Sequence, residues 1–170
     1  MFRSLFARLT TAPDRGAELF AAVVAEARRP HWYVEGEVPD TVDGRFLVLA
    51  TVTALTLVRL DRGGETARVA SVALTERYAE ALDAELRQMG IGDPTLAKQM
   101  RSLIGALEAR VGWWRDAVDA EGWAAAAERS LYRRRPPIAA ALAHSAEQLA
   151  SLWRNLERLD DGALAAGRFE

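Results

Sequence analysis

The sequence predicts an all-α fold: a compact single-domain multi-helix bundle with an ordered loop near residues 30–45. Three observations predict it. Long segments repeat their apolar residues at helical spacing. Start and stop residues bound those segments, notably Asp93-Pro94, Gly90 and Pro136-Pro137. The connections between them are short, which favours a bundle over a solenoid. A chain of 170 residues, 50% hydrophobic and 27% charged, suits one globular domain that buries roughly two-thirds of its unfolded surface.

At the amino terminus, Phe2, Leu5, Phe6 and Leu9 fall on one helical face with Arg3 and Arg8 beside them. This stretch lacks the apolar core and small-residue cleavage site of a secretory signal, so a cytoplasmic protein is expected. The amphipathic face fits two readings, a helix docked on its own domain or one resting on a membrane surface. Asp14 can cap a helix through about Arg29, with Ala17, Phe20, Val23, Val24 and Ala27 at helical spacing until Pro30 stops it.

Residues 28–46 follow as a turn-rich segment between two apolar runs. Pro30, Gly36, Pro39 and Gly44 punctuate it, and Asp40 and Asp43 can bond nearby amides, so the backbone has local reasons to hold one shape. Ordered loops of this length usually serve a function. Residues 46–60 are almost wholly apolar. Their β-branched content would suit a strand, but their length and lack of turn residues favour a central buried helix. The most apolar part, residues 46–58, is too short and too rich in threonine to span a membrane.

Asp61-Arg62-Gly63-Gly64 reads as a turn. An amphipathic helix should run over residues 65–89, with Val69, Val72, Ala73, Tyr78, Ala79, Leu82 and Leu86 near one face and Gly90 as its C-cap. Asp93 before Pro94 predicts the start of a helix reaching about Asp119. Residues 123–135 predict another, closed by Pro136-Pro137, and residues 138–159 a last one. Asp160-Asp161 falls at its expected frayed end.

Composition excludes several chemistries. Without cysteine there are no disulfides, thiolate nucleophiles or cysteine-held metal clusters. A net charge of −2 provides no global field to gather DNA. His31 and His144 are the two histidines, and neither has metal-ligand spacing, so neither a metal nor another cofactor is expected. His144-Ser145-Ala146-Glu147 cannot form a catalytic triad, because neighbours along a helix point in different directions. Gly63-Gly64 lacks the strand and lysine of a phosphate loop. No catalytic residue is therefore assigned, and the protein is read as a non-enzyme.

Arg133-Arg134-Arg135 forms the concentrated basic patch. Cations near a helix C-terminus are favoured by its dipole, which gives a structural reading. The functional reading is contact with ribosomal RNA, acidic headgroups or an acidic partner. Of five tryptophans, most should be core. Trp113 and Trp114 point about 100° apart on a helix, so one of them is expected near a rim.

The loop and its flanks resemble the ubiquinol–cytochrome c chaperone family. The resemblance is carried by Leu19-Phe20, Ala27-Arg28, Tyr33, Val38-Pro39-Asp40-Thr41-Val42-Asp43-Gly44-Arg45-Phe46, Arg59-Leu60 and Leu86-Arg87-Gln88-Met89-Gly90-Ile91-Gly92-Asp93. It spans about residues 19–110. Four positions depart from the family pattern. Leu47 and Val52 stand where relatives commonly have an aspartate and a histidine, and Glu108-Ala109-Arg110 replaces a Tyr-Gly-Arg string.

The resemblance implies an assembly factor of the cytochrome bc1 complex that holds newly made cytochrome b, with a small partner protein as a further possible contact. The implied client-binding residues are Trp32, Tyr33, Pro39, Asp40, Thr41, Gly44, Arg45 and Phe46. Trp32, Tyr33 and Phe46 would line a cleft for an apolar helix, with Arg45 and Asp40 fixing its edge. The structural alternative is that Arg45 and Asp40 bond each other or the loop. Two rival functions stand beside this one: a membrane-surface adaptor using residues 1–10 and the arginine patch, and a small helical enzyme acting on an apolar ligand.

Overall fold

The computed structural model describes residues 15–133 and 136–169. The expected N-terminal amphipathic face, the Asp14 cap, Arg134 and Arg135 lie outside the described residues. The described part is all-α: α1 (Ala17–Ala27), a 3₁₀ turn (Pro30–Trp32), α2 (Val42–Asp61), α3 (Glu65–Gln88), α4 (Asp93–Ala120), α5 (Trp123–Leu131), α6 (Ala139–Arg158) and α7 (Asp161–Ala165).

The central helix is α2, which packs against α1, α3, α4, α5 and α6. Residues 50–58 are all buried. This stretch has no solvent face, which explains why its sequence is apolar all round rather than amphipathic. Its β-branched content does not make it a strand. Thr51, Thr53 and Thr56 donate their hydroxyls to the carbonyls of Leu47, Leu49 and Val52 at 2.7, 2.8 and 2.9 Å, one turn back along the helix. Each buried hydroxyl is thereby satisfied along its own helix, and that of Thr51 also bonds Ser130 on α5 at 2.6 Å. Val52, at the family's histidine position, is 0% exposed in this core.

Several boundaries differ from expectation, each for a local reason. Helix α2 starts at Val42 rather than Phe46, because the Thr41 hydroxyl accepts from the Gly44 amide at 3.1 Å and caps it. At its other end α3 closes as read: Gly90 adopts φ +78°, and the amides of Gly90 and Ile91 donate to Arg87 and Leu86 at 3.0 and 3.1 Å. This is the Schellman arrangement, for which glycine is the favoured residue. The start of α4 shifts by one residue, with Gly92 as the flanking cap and Asp93 already helical.

Helix α5 stops at Leu131, four residues short of Arg135, because Tyr132 turns inward to bond other parts of the chain. Asp160 and Asp161 are not a frayed end. The Asp160 carboxylate accepts from the Ala163 amide at 2.7 Å and starts α7.

Asp161 joins α7 to the turn between α2 and α3. Its carboxylate accepts from the Gly64 amide at 2.7 Å and from Arg59 at 3.2 Å. Arg59 also donates to the carbonyls of Leu156 and Leu159 at 3.1 and 2.6 Å. One guanidinium therefore closes the C-terminal end of α6, whose last carbonyls have no helical partner.

Replacing Arg59 with Met should cost about 3 kcal/mol, seen as a lowered urea midpoint, because two carbonyls and a carboxylate lose their donor. The Gly64 amide, and after it Arg59, hold the Asp161 carboxyl below its ordinary value of 3.8. With the folded value below the unfolded one, the stabilisation is complete above the ordinary range and is lost as pH falls through the folded value. Asp161→Asn should therefore lower the melting temperature at pH 7. The gap from wild type should close as the pH drops below 3.8.

Candidate functional site

The loop is folded around the last carbonyls of α1. The Trp32 indole donates to the Glu26 carbonyl at 2.9 Å, and the Tyr33 phenol donates to the Ala27 carbonyl at 2.7 Å. Backbone bonds from Gly36 to His31 and from Val38 to Trp32, at 2.9 and 3.1 Å, tighten the turn. Gly36 has no room for a side chain, since an added Cβ would lie 2.6 Å from the Trp32 carbonyl oxygen and 2.8 Å from Ser145.

Two distant side chains fasten this loop to α6. The Tyr132 hydroxyl donates to the Gly36 carbonyl and shares a 2.7 Å bond with Ser145. His31 Nδ1 and His144 Nε2 lie 3.2 Å apart, one donating to the other. Glu26 stands 3.8 Å from the far nitrogen of His31 and 3.2 Å from Arg29. Burial pushes the Glu26 carboxyl up, but His31 and Arg29 outweigh it and hold the group below its usual value. The pairing of the two histidines is a tertiary contact across 113 residues, which no local spacing signals.

An open apolar groove of about 500 Å³ lies between α1 and α3. Phe20, Ala21 and Val24 line one wall, and Ala81 lies on the other with Arg77 and Glu80 as a charged edge. Arg77 and Glu80 pair at 3.1 Å. Val24 is one helical turn before Ala27, the residue that receives the Tyr33 phenol. A second, more polar groove of about 890 Å³ runs on the other side of α1, with Arg29, Gln148, Asn155 and Arg168 along it.

The eight residues of the expected client site separate into three groups. Pro39, Asp40, Thr41 and Arg45 are exposed; Tyr33 and Phe46 are half-buried. Trp32 and Gly44 are buried, so neither lines an opening. Trp32 serves the loop's interior, and Gly44 lies so close to the Pro39 carbonyl that a Cβ would overlap it. Arg45 and Asp40 bond each other at 2.6 Å, the structural alternative read from the sequence. The hydrogen bond from Arg45 holds the Asp40 carboxyl below its ordinary value.

Phe46 packs its ring 6.3 Å from that of Tyr78 on α3, so the end of the loop reaches the same helix that forms the groove. Exposed Val34 and Val42 add apolar surface on either side of the polar pair. Sequence reasoning missed Phe20 and Val24 as surface residues, because helical spacing placed them with the core; only their half-exposure in the fold distinguishes them from Leu19 and Val23. Of the neighbouring tryptophans, Trp114 is buried, whereas Trp113 lies half-buried beneath Arg129, with its ring centre 3.9 Å from the guanidinium. Arg133, the described member of the basic patch, is exposed.

Among the described residues, no group of three or more His, Asp or Glu side chains is placed to hold a metal. No helix among them is long and apolar enough to cross a membrane.

The structure is thus an all-helical scaffold with an ordered polar loop and an apolar groove. The sequence model of the family described as Ubiquinol-cytochrome C chaperone matches residues 35–170, and the chain belongs to that family. Its fold is similar to that in the crystal structure of the Cbp3 homolog from Brucella abortus. The TM-score is 0.79 at 28% identity, over 99% of this chain and 94% of that one. No curated protein matches the chain in sequence.

Substitutions can separate the loop's frame from its surface. Gly44→Ala should destabilise the protein by about 2 kcal/mol, through overlap with the Pro39 carbonyl. Arg45→Ala should leave the melting temperature unchanged, because an exposed ion pair adds little. Thermal unfolding of the two variants side by side measures both.

Proposed function

We propose that this member of the family holds newly made cytochrome b during assembly of the ubiquinol–cytochrome c reductase complex, as a binding protein without turnover. The observation that carries the reading is the open apolar groove between α1 and α3, on a scaffold whose family is one of ubiquinol–cytochrome c chaperones. A membrane subunit presents apolar helices before it is assembled, and a helix-in-groove contact covers them with few polar groups. Phe20, Val24 and Ala81 would take the apolar face, and the Arg77–Glu80 pair would border it.

The loop supplies the second part of the contact. Tyr33 and Phe46 offer half-exposed aromatic surface, while Pro39, Thr41 and the Asp40–Arg45 pair present polar groups that fix the client's edge. Trp32 and Gly44 act beneath them as support. Arg133 to Arg135 would give a basic contact with an acidic partner, a ribosome or a membrane surface, and a small partner protein would find room along the polar groove on α1.

Phe20→Glu combined with Val24→Glu should abolish capture of cytochrome b in a crosslinking pull-down and lower b-type haem and assembled complex in cells, while the purified variant still folds. Unchanged capture and haem would overturn the groove assignment. Liposome flotation separates the holding role from an adaptor role, which would require membrane binding and leave client capture unaffected by these substitutions.

A further inference from the structure

On its α1 side, the apolar groove between α1 and α3 is lined by Ala17, Phe20, Ala21 and Val24, a stripe at i, i+3, i+4 and i+7. Leu19 and Val23 take the buried side of that helix. Ala17, Phe20 and Val24 are half-buried and Ala21 is exposed, so the stripe is only partly covered. A helix with an apolar face of the same spacing is what closes such a stripe.

The described chain begins at one end of this groove. Gly16 sits against α3, where a Cβ added to it would lie 2.9 Å from that of Ala73. Arg77, at the groove's edge, donates from Nε to the Arg15 carbonyl at 3.2 Å. Ala73, Arg77 and Ala81 follow one another at successive turns of α3, so the residues before Arg15 leave from the groove itself. In the sequence, Phe2, Leu5, Phe6 and Leu9 repeat the spacing of the α1 stripe, and the two stripes have equal length, about 10 Å. Residues 10–16 between them fall within the usual helix–helix connection of about 2 to 8 residues.

We infer that residues 2–9 fold back antiparallel onto α1 and cover the apolar groove, so that a client has to displace them. A hairpin centred on Pro13 sets Leu9 against Ala17, Phe6 against Phe20, Leu5 against Ala21 and Phe2 against Val24. Both leucines then meet alanines, and large side chains fill the space that small ones leave. A tether this short gives the segment an effective concentration on the order of mM, which favours it over a second copy or a free partner. The docking stands on the groove and the chain's entry point alone; the displacement rests on the holding role proposed above.

The full chain has no cysteine, so paired substitutions report proximity without background. Leu5→Cys with Ala21→Cys brings two thiols face to face in this hairpin, within reach of a disulfide. Leu5→Cys with Ala25→Cys puts the second thiol on the side of α1 that borders the polar groove. On mild oxidation of dilute protein, the first pair should close within one molecule about ten times faster than the second, read by mass spectrometry and non-reducing electrophoresis. Equal rates would overturn the docking, and so would no closure, which leaves the groove to a client. A disulfide formed only between molecules would overturn it as well and make a second copy the occupant.

A pull-down then tests the displacement. Oxidised Leu5→Cys/Ala21→Cys should capture about tenfold less cytochrome b than the same protein reduced, because the locked segment keeps the groove covered. Equal capture with the disulfide formed would overturn the displacement and the groove assignment with it, while the disulfide itself upholds the docking. No capture in either state would overturn the holding role and again leave the docking upheld.

Discussion

Burying α2 on every side is the constraint from which the rest of the structure follows. Over residues 50–58 this helix has no solvent face and cannot carry an unpaired polar group, so its threonines bond back to their own helix and the stretch is otherwise apolar. The same constraint governs its ends. Thr41 caps the first turn where the loop arrives, and near the last turn Arg59 reaches across to the final carbonyls of α6 and to Asp161. Because α1, α3, α4, α5 and α6 all pack on this one helix, a contact that fixes its ends also fixes where the outer helices start and stop.

The loop between α1 and α2 shows how the scaffold produces a surface. Its aromatic side chains are used inward first: Trp32 and Tyr33 satisfy carbonyls at the end of α1. Tyr132 and His144 then hold the turn against α6, across 96 and 113 residues. With its frame secured by bonds of this kind, the outer edge is free to present Pro39, Asp40, Thr41 and Arg45 to solvent. A segment that lacks helix or strand thereby has few unsatisfied backbone groups and a defined shape.

Helix α1 is buried along one stripe only. Leu19 and Val23 anchor it in the core, while its flanks border an apolar groove toward α3 and a polar one toward α6 and the C-terminal residues. Family membership rests on residues 35–170, which include the loop's outer edge and α3 but not α1, so the groove joins a wall inside that match to one outside it.

The sequence by itself determined the helical class, the central apolar helix, the Gly90 stop and the existence of an ordered loop, because each depends on nearest neighbours and on helical periodicity. It also carried the family resemblance through the stretch from Val38 to Phe46. Tertiary structure alone decided which of those loop residues face outward. Trp32 and Tyr33 are adjacent aromatics with equal claim to a surface; one is enclosed and the other half-open because their partners are α1 carbonyls on different sides of the turn.

Similarly, nothing local foretold that Tyr132 would end α5 early, that Asp161 would meet Arg59, or that Phe20 and Val24 would border a groove while Leu19 and Val23 filled the core. Helical spacing gives the direction in which a side chain points, but not what lies there. Contacts over a hundred residues apart depend on how whole helices pack, and that packing is set by the summed burial of many side chains rather than by any one motif.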